Sequence, residues 1–294
     1  MIEGRIPYAG GETWYRVAGD GEEPGKLPLV ALHGGPGALH DYLEPLEALA
    51  DTGRRVIFYD QIGCGRSWIE KPPEFWTVEL FVGEVQAVRD ALGLDQLHLF
   101  GSSWGGMLAM EYALTRPAGL ASLVLSSSPP SIPVWAEEAN RLRKDLPEET
   151  QRVLDEHEAA GTLDSPEYEA ATMEFYKRHV CRIDPFPDYV VRTFAGLDEH
   201  PEVYLTMQGP NEFVINGTLT DWDITARLGE IRVPTLITAG RHDEFTPRQA
   251  QALHGGIAGS ELVIFEDSSH MQFAEEPERY CEVVSAFLDR VEQG

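Results

Sequence analysis

Short apolar runs and segments of helical period alternate along most of this chain. Residues 3–18 carry brief alternating stretches around Gly10-Gly11, the pattern of a β-hairpin. The run Leu27-Pro28-Leu29-Val30-Ala31-Leu32 has no polar position, so it predicts a strand buried on both faces, and it leads into His33-Gly34-Gly35-Pro36-Gly37. A helix-like stretch at 41–51 precedes a second buried strand, Arg55-Val56-Ile57-Phe58-Tyr59. Residues 77–92 repeat apolar side chains at helical spacing behind Thr77, whose hydroxyl suits an N-cap. A strand at 96–100, a sharp Gly-rich turn, a helix from about 104 to 115 and a strand at 120–126 follow. Strands and helices in alternation predict an α/β fold: a mostly parallel sheet with helices on both faces.

The rhythm changes between 133 and 227, where apolar strands vanish and charged, helix-like segments take over at 135–146, 148–160 and 167–178. It returns with a strand at 233–238, a helix at 247–257, a strand at 261–265 and a helix at 277–291. The economical organisation is one core in two parts, 1–132 and 228–294, interrupted by a helical cap at 133–227. Helices laid over the carboxyl edge of a parallel sheet enclose the place where such sheets bind ligands.

Composition narrows the partners. The chain has 294 residues, 43% of them hydrophobic, enough for one large core. Its 23 basic and 49 acidic residues leave a net charge of −26, which repels nucleic acid and anionic membrane and mildly favours cations. No apolar run nears the roughly 20 residues of a membrane span, and the N-terminus lacks the basic start and apolar core of a secretory signal. Cys64, Cys181 and Cys281 are far apart, with no metal-ligand spacing, and read as free thiols in a reducing compartment. The expectation is a cytoplasmic protein without metal or cofactor; a monomer is the simpler assembly.

The chemistry concentrates at Phe100-Gly101-Ser102-Ser103-Trp104-Gly105-Gly106. Here G-x-S-x-G follows a strand and opens a helix, the context in which the motif places a nucleophile on a tight turn. The frame selects Ser103 and turns Ser102 elsewhere. A serine hydroxyl needs a base, and in this topology the partners run Ser, acid, His along the chain, each after a late strand. Asp243 and His270 meet that order. His242, beside the acid, is expected to point away; His98 reads as structural, Asp267 as a turn residue and Asp60 as fixing its own Gly-rich loop. Acyl chemistry also needs donors for an oxyanion. The amide of Trp104 supplies one, and Gly35, after the first core strand, is the candidate for the other.

These motifs together resemble the proline iminopeptidase family of α/β-hydrolases. The resemblance rests on His33-Gly34-Gly35-Pro36-Gly37, on Asp60-Gln61-Ile62-Gly63-Cys64-Gly65-Arg66-Ser67, on Gly101 through Gly106, and on Gly240-Arg241-His242-Asp243-Glu244. Gln208-Gly209-Pro210-Asn211-Glu212-Phe213 is similar to the tricorn-interacting aminopeptidase type and its relatives, the L-amino acid amidases. It implies an α/β-hydrolase fold, a triad of Ser103, Asp243 and His270, oxyanion donors at Gly35 and Trp104, and Glu212 and Glu244 as binders of the substrate's α-amino group. Tyr204, Phe213 and Trp135 are aromatic candidates for a side-chain pocket. The implied activity is that of a serine aminopeptidase releasing proline or another small or apolar N-terminal residue from short peptides through an acyl-enzyme. An amidase acting on amino acid amides, a general esterase and a non-catalytic ligand sensor remain alternatives.

Overall fold

The computed structural model describes residues 2–294. Its sheet has the order β1-β2-β4-β3-β5-β6-β7-β8. The strands are β1 (Ile2–Tyr8), β2 (Gly11–Ala18), β3 (Leu29–Leu32), β4 (Val56–Tyr59), β5 (Leu97–Ser102), β6 (Leu120–Ser126), β7 (Thr235–Gly240) and β8 (Glu261–Phe265). From β4 to β8 every pairing is parallel, while the β1–β2 hairpin joins antiparallel along β4. The unbroken apolar runs have the expected cause: β3, β4, β5 and β7 are buried at every position. Within β3, Val30 and Leu32 enter the core on one face, and Leu29 and Ala31 the core on the other. Burial of each such aliphatic side chain contributes about 1.5–3 kcal/mol.

The helices are α1 (Val78–Ala91), α2 (Trp104–Leu114), α3 (Ile132–Arg143), α4 (Glu148–Ala160), α5 (Pro166–His179), α6 (Asp188–Glu199), α7 (Glu202–Met207), α8 (Pro247–Gly256), α9 (Gln272–Glu275) and α10 (Pro277–Gln293). Thr77 does cap α1, accepting from the Leu80 amide. The stretch expected as a helix at 41–51 is 3₁₀ in geometry over His40–Thr52. Pro45 lies inside it and has no N–H for an α-helical ladder.

Helices α3 to α7 stand between β6 and β7. The sequence pattern missed α6 and α7. Each follows a proline without a side-chain cap, and α7 is only six residues long, too short for a period to register. Hydrogen bonds anchor α6 to the 3₁₀ segment: the Tyr42 amide donates to Thr193 Oγ1 at 3.0 Å, and Arg192 pairs with Asp41 at 2.9 Å. Among the described residues no helix is long and apolar enough to cross a membrane.

Candidate active site

Strand β5 runs into Ser103 at φ 55° and ψ −122°, and α2 begins at the next residue. A non-glycine residue held there stores about 1–3 kcal/mol of strain. The surroundings enforce it. The Ser103 amide donates to Ser126 O at 2.9 Å, tying the turn to β6. A Cβ on Gly101 would lie 2.2 Å from Gly105 O, and one on Gly105 would lie 2.2 Å from Leu32 O. Strand and helix therefore meet backbone to backbone, which only glycine allows. We expect Gly101→Ala to cost about 1–3 kcal/mol through overpacking, read from the urea midpoint of unfolding.

Asp243 follows β7, His270 follows β8, and the two meet: His270 Nδ1 lies 2.8 Å from Asp243 Oδ1. That contact keeps the Nδ1 proton on the ring and leaves Nε2 as the basic nitrogen. Asp243 is held on both oxygens. Oδ1 also accepts from the Phe245 amide at 2.8 Å, and Oδ2 accepts from Ser127 Oγ at 2.6 Å. Gln272 Nε2 donates to Ser127 Oγ at 2.7 Å. Sequence reasoning named neither Ser127 nor Gln272; the one available signal was the serine run directly after β6. Burial opposes the imidazolium of His270, but the charge and hydrogen bond of Asp243, with Glu212 and Glu275 behind them, outweigh it and raise the pKa above the ordinary value.

The loop after β3 lies against the turn, since a Cβ on Gly34 would come within 3.0 Å of Ser103 Cβ. Gly35 takes φ 109°, a region that favours glycine. Neither the Gly35 amide nor the Trp104 amide donates to a backbone acceptor among the described residues. Two free N–H groups thus flank the serine. Ser103 itself is 7% exposed and His270 5%.

Glu244 and Glu212 bring two more carboxylates to this centre. Glu244 is 1% exposed, its Oε1 is 3.7 Å from His270 Nδ1, and its Oε2 has no hydrogen-bond partner among the described residues. Its amide, like that of His270, donates to the carbonyl of His179 at the end of α5, each at 3.3 Å. Glu212, half-buried after α7, accepts from Tyr204 OH at 2.7 Å. No Lys or Arg among the described residues pairs with either: Arg241 binds Glu266, and Arg248 binds Glu138. Burial raises the Glu244 pKa well above the usual carboxylate value, and the charges of Glu212 and Asp243 push it further. Burial also raises Glu212, although the Tyr204 hydrogen bond and His270 pull it back.

A cavity of about 370 Å³ between α5, α6 and α7 reaches Glu212 and is walled by Tyr204, Tyr176 and Phe194. Phe213 and Trp135 are not in its walls. Phe213 packs on Phe175 at 5.3 Å beneath the Arg143 guanidinium, and Trp135 is 1% exposed inside α3. A larger groove of about 630 Å³ near Gln86, Asp95 and Gly119 lies at the amino ends of the strands, away from all these groups. His242 lies outside the triad contacts, and His98 is buried against Ser122 and Glu292. Asp60 fixes its loop, accepting from His40 Nδ1 at 2.7 Å and from the Arg66 amide at 3.0 Å. His40, Asp41 and Asp60 converge, and the Arg66 guanidinium supplies the cation between the two acids, 2.9 Å from Asp41 and 3.2 Å from Asp60. Cys64 is fully buried in the same loop.

Residues 28–277 match the family model described as the alpha/beta hydrolase fold. The proline iminopeptidase of Saccharolobus solfataricus is 44% identical over 278 residues, which are 94% of this chain and 88% of that protein. Two crystal structures share 44% identity over 99% of each chain: that of VinJ, with a TM-score of 0.95, and that of proline iminopeptidase from Mycobacterium smegmatis, with a TM-score of 0.93. The likeness runs through both parts of the sheet and the helices between them, and the chain belongs to the proline iminopeptidase family of α/β-hydrolases.

Proposed function

We propose that this protein is a serine aminopeptidase that releases an N-terminal residue, proline foremost, from short unblocked peptides. One observation carries the reading beyond hydrolysis in general: two carboxylates without a basic partner, Glu244 buried and Glu212 half-buried, stand beside the acid–base pair. Buried charge that the chain leaves unpaired is paired by what binds there. An α-amino group, with a pKa of about 7.7–8.0, is largely cationic at neutral pH. An N-terminal proline presents two N–H groups on its ring nitrogen, one for each of Glu212 and Glu244.

With the amine held there, the first carbonyl carbon faces Ser103. His270 Nε2 takes the Ser103 proton as Oγ bonds to that carbon, and the Gly35 and Trp104 amides receive the developing oxyanion. The tetrahedral centre collapses, the C–N bond breaks, and His270 gives the proton to the leaving amine. A water, deprotonated by His270, then splits the acyl-enzyme. Because the clamp binds the free amine at a fixed distance from Ser103, one residue leaves at a time. Helices within 133–227 act as the cap, supplying Glu212 and closing over the core formed by 1–132 and 228–294. The separate free thiols of Cys64, Cys181 and Cys281 support a cytoplasmic setting.

The amidase, esterase and sensor readings are not favoured, since the relatives at 41–44% identity that are named by activity are proline iminopeptidases. The deciding experiment is a panel of free and N-acetylated aminoacyl arylamides of proline, alanine and phenylalanine, run beside prolinamide and prolyl peptides. Free prolyl substrates should be cleaved at least about 100-fold better than their acetylated forms, as expected when a buried charge loses its partner. Equal rates on blocked and free substrates would return the protein to the esterases.

A further inference from the structure

Gln61 is fully buried at the carboxyl end of β4, in a loop whose role so far is only to follow a strand. Its side chain reaches sideways across the sheet. Nε2 donates to His33 O at the end of β3, at 2.8 Å. Oε1 accepts from the indole Nε1 of Trp104, at the start of α2, also at 2.8 Å. Since β3 lies between β4 and β5, one carboxamide spans three neighbouring strand ends. The backbone adds a third tie, the Gln61 amide donating to His33 Nε2 at 2.9 Å.

The chemistry of the partners fixes the amide. An indole N–H only donates and a carbonyl only accepts, so one orientation of the carboxamide satisfies both. The His33 ring is equally determined. Nε2 accepts from Gln61, so Nδ1 carries the proton and donates to Gly34 O at 3.0 Å. Burial, resisted by the charge of Asp60, lowers the His33 pKa to about 4 and keeps that ring neutral. Of the two residues braced in this way, Trp104 is itself one oxyanion donor and His33 leads the loop that carries the other. Gly35 is two residues beyond His33, and Trp104 donates through its own amide.

We infer that Gln61 is the positioning residue of the oxyanion hole, setting the separation of the Gly35 and Trp104 amides by bridging their two loops. This rests on the acyl-transfer reading of those amides. Oxyanion stabilisation depends on donors held at about 2.7–3.1 Å from the developing charge, and losing one donor costs about 10²–10³ in kcat. Loosening both without removing either costs less. Glutamate in place of Gln61 lacks the donor for His33, asparagine is a methylene short of one partner, and methionine fills the space but bonds neither.

The test is a double-mutant cycle of Gln61→Met and Trp104→Phe, in which the second change removes the indole donor, with the volume of one buried ring, and keeps the Trp104 amide. Each single variant should lose about 10–100-fold in kcat with KM within about threefold, and the double should lose little more than either single. Affinity for prolinal, which becomes a tetrahedral adduct on Ser103, should fall with kcat/KM, while affinity for free proline holds. A purely packing role would lower the melting temperature without that split. The inference is overturned if folded Gln61→Met keeps kcat within threefold of the parent, or if the losses in the cycle simply multiply. If Gln61→Met does not fold, the kcat and prolinal affinity of Trp104→Phe decide alone. Phosphonate labelling of Ser103 in the parent checks the underlying reading separately: labelling with an unchanged Gln61→Met rejects this inference and leaves the acyl-transfer mechanism intact.

Discussion

Ser103→Ala is expected to lower kcat by about four to six orders of magnitude while leaving the fold and substrate binding in place. No other hydroxyl has the same position: Ser102 is fully buried, and Ser127 is committed to Asp243. Without Oγ no acyl-enzyme forms, and His270 can act only on water. The fold has little to lose, because the turn is set by backbone groups, chiefly the Ser103 amide on Ser126 O, which alanine keeps. Alanine also keeps the strained φ of 55°, so the melting temperature should barely move, whereas Ser103→Gly should melt higher as the strain relaxes. In the proposed clamp, binding rests on Glu212 and Glu244, so the inactive variant should still bind a prolyl peptide in calorimetry. The measurements are single-turnover kinetics, phosphonate labelling and thermal melts. Activity retained within tenfold in Ser103→Ala would remove this residue from the mechanism.

The sequence made the sheet legible because parallel strands buried on both faces leave uninterrupted apolar runs, as at Leu29–Leu32 and Val56–Tyr59. It made Ser103 legible because a strained elbow demands glycines at fixed offsets. Asp243 and His270 followed from chain order, and their contact at 2.8 Å is the geometry that order anticipates. Less came through where no period or offset exists. Helix α7 is shorter than two turns, and the 3₁₀ segment carries helix-like spacing around a proline that forbids the regular ladder. Ser127 and Gln272 act through hydrogen bonds between residues 116 and 145 positions apart, and nothing local in the chain records such a pairing. Glu212 lies between these cases: its neighbourhood carried a resemblance, but its approach to the centre depends on the path of α7 and the loop behind it. Of the aromatics named from sequence, Tyr204 reached the cavity because its hydroxyl needed a polar partner, while Phe213 and Trp135 were drawn into the interior of the helical segment.

The carboxylate pair yields the second large effect and also reveals its structural cost. Glu244→Gln and Glu212→Gln should each lower kcat/KM on free-amine substrates by about 10²–10³, the scale of a buried charge pair losing one partner. N-acetylated esters, which bring no ammonium, should change far less, by about tenfold at most, since they lose no charge partner and Asp243 still holds His270. The pH dependence separates the two acids. Glu244 has the higher pKa of the pair in the free enzyme, because Tyr204 donates to Glu212 while Glu244 Oε2 has no donor. As pH falls, Glu244 gains a proton, the clamp weakens and kcat/KM declines; raised His270 adds to this acid limb by losing its basic form. The alkaline limb follows the substrate amine as it loses its charge. For stability the sign is the reverse of an ordinary salt-bridged acid. A carboxyl whose pKa is raised by folding holds more protons in the native state, so stability falls as pH rises from its unfolded value towards its folded one. Glutamine at 244 carries no charge and escapes that loss. Glu244→Gln should therefore melt above the parent at pH 8, with the gap closing as pH falls towards 5, even though it is the poorer peptidase. Binding an amine should return the parent's deficit, raising its melting temperature more than that of the variant. Melts across pH with and without proline, alongside kinetics on matched free and acetylated substrates, check each part. A variant that melts lower at pH 8 and loses equally on both substrate classes would mean that Glu244 is structural and that the amine is bound elsewhere.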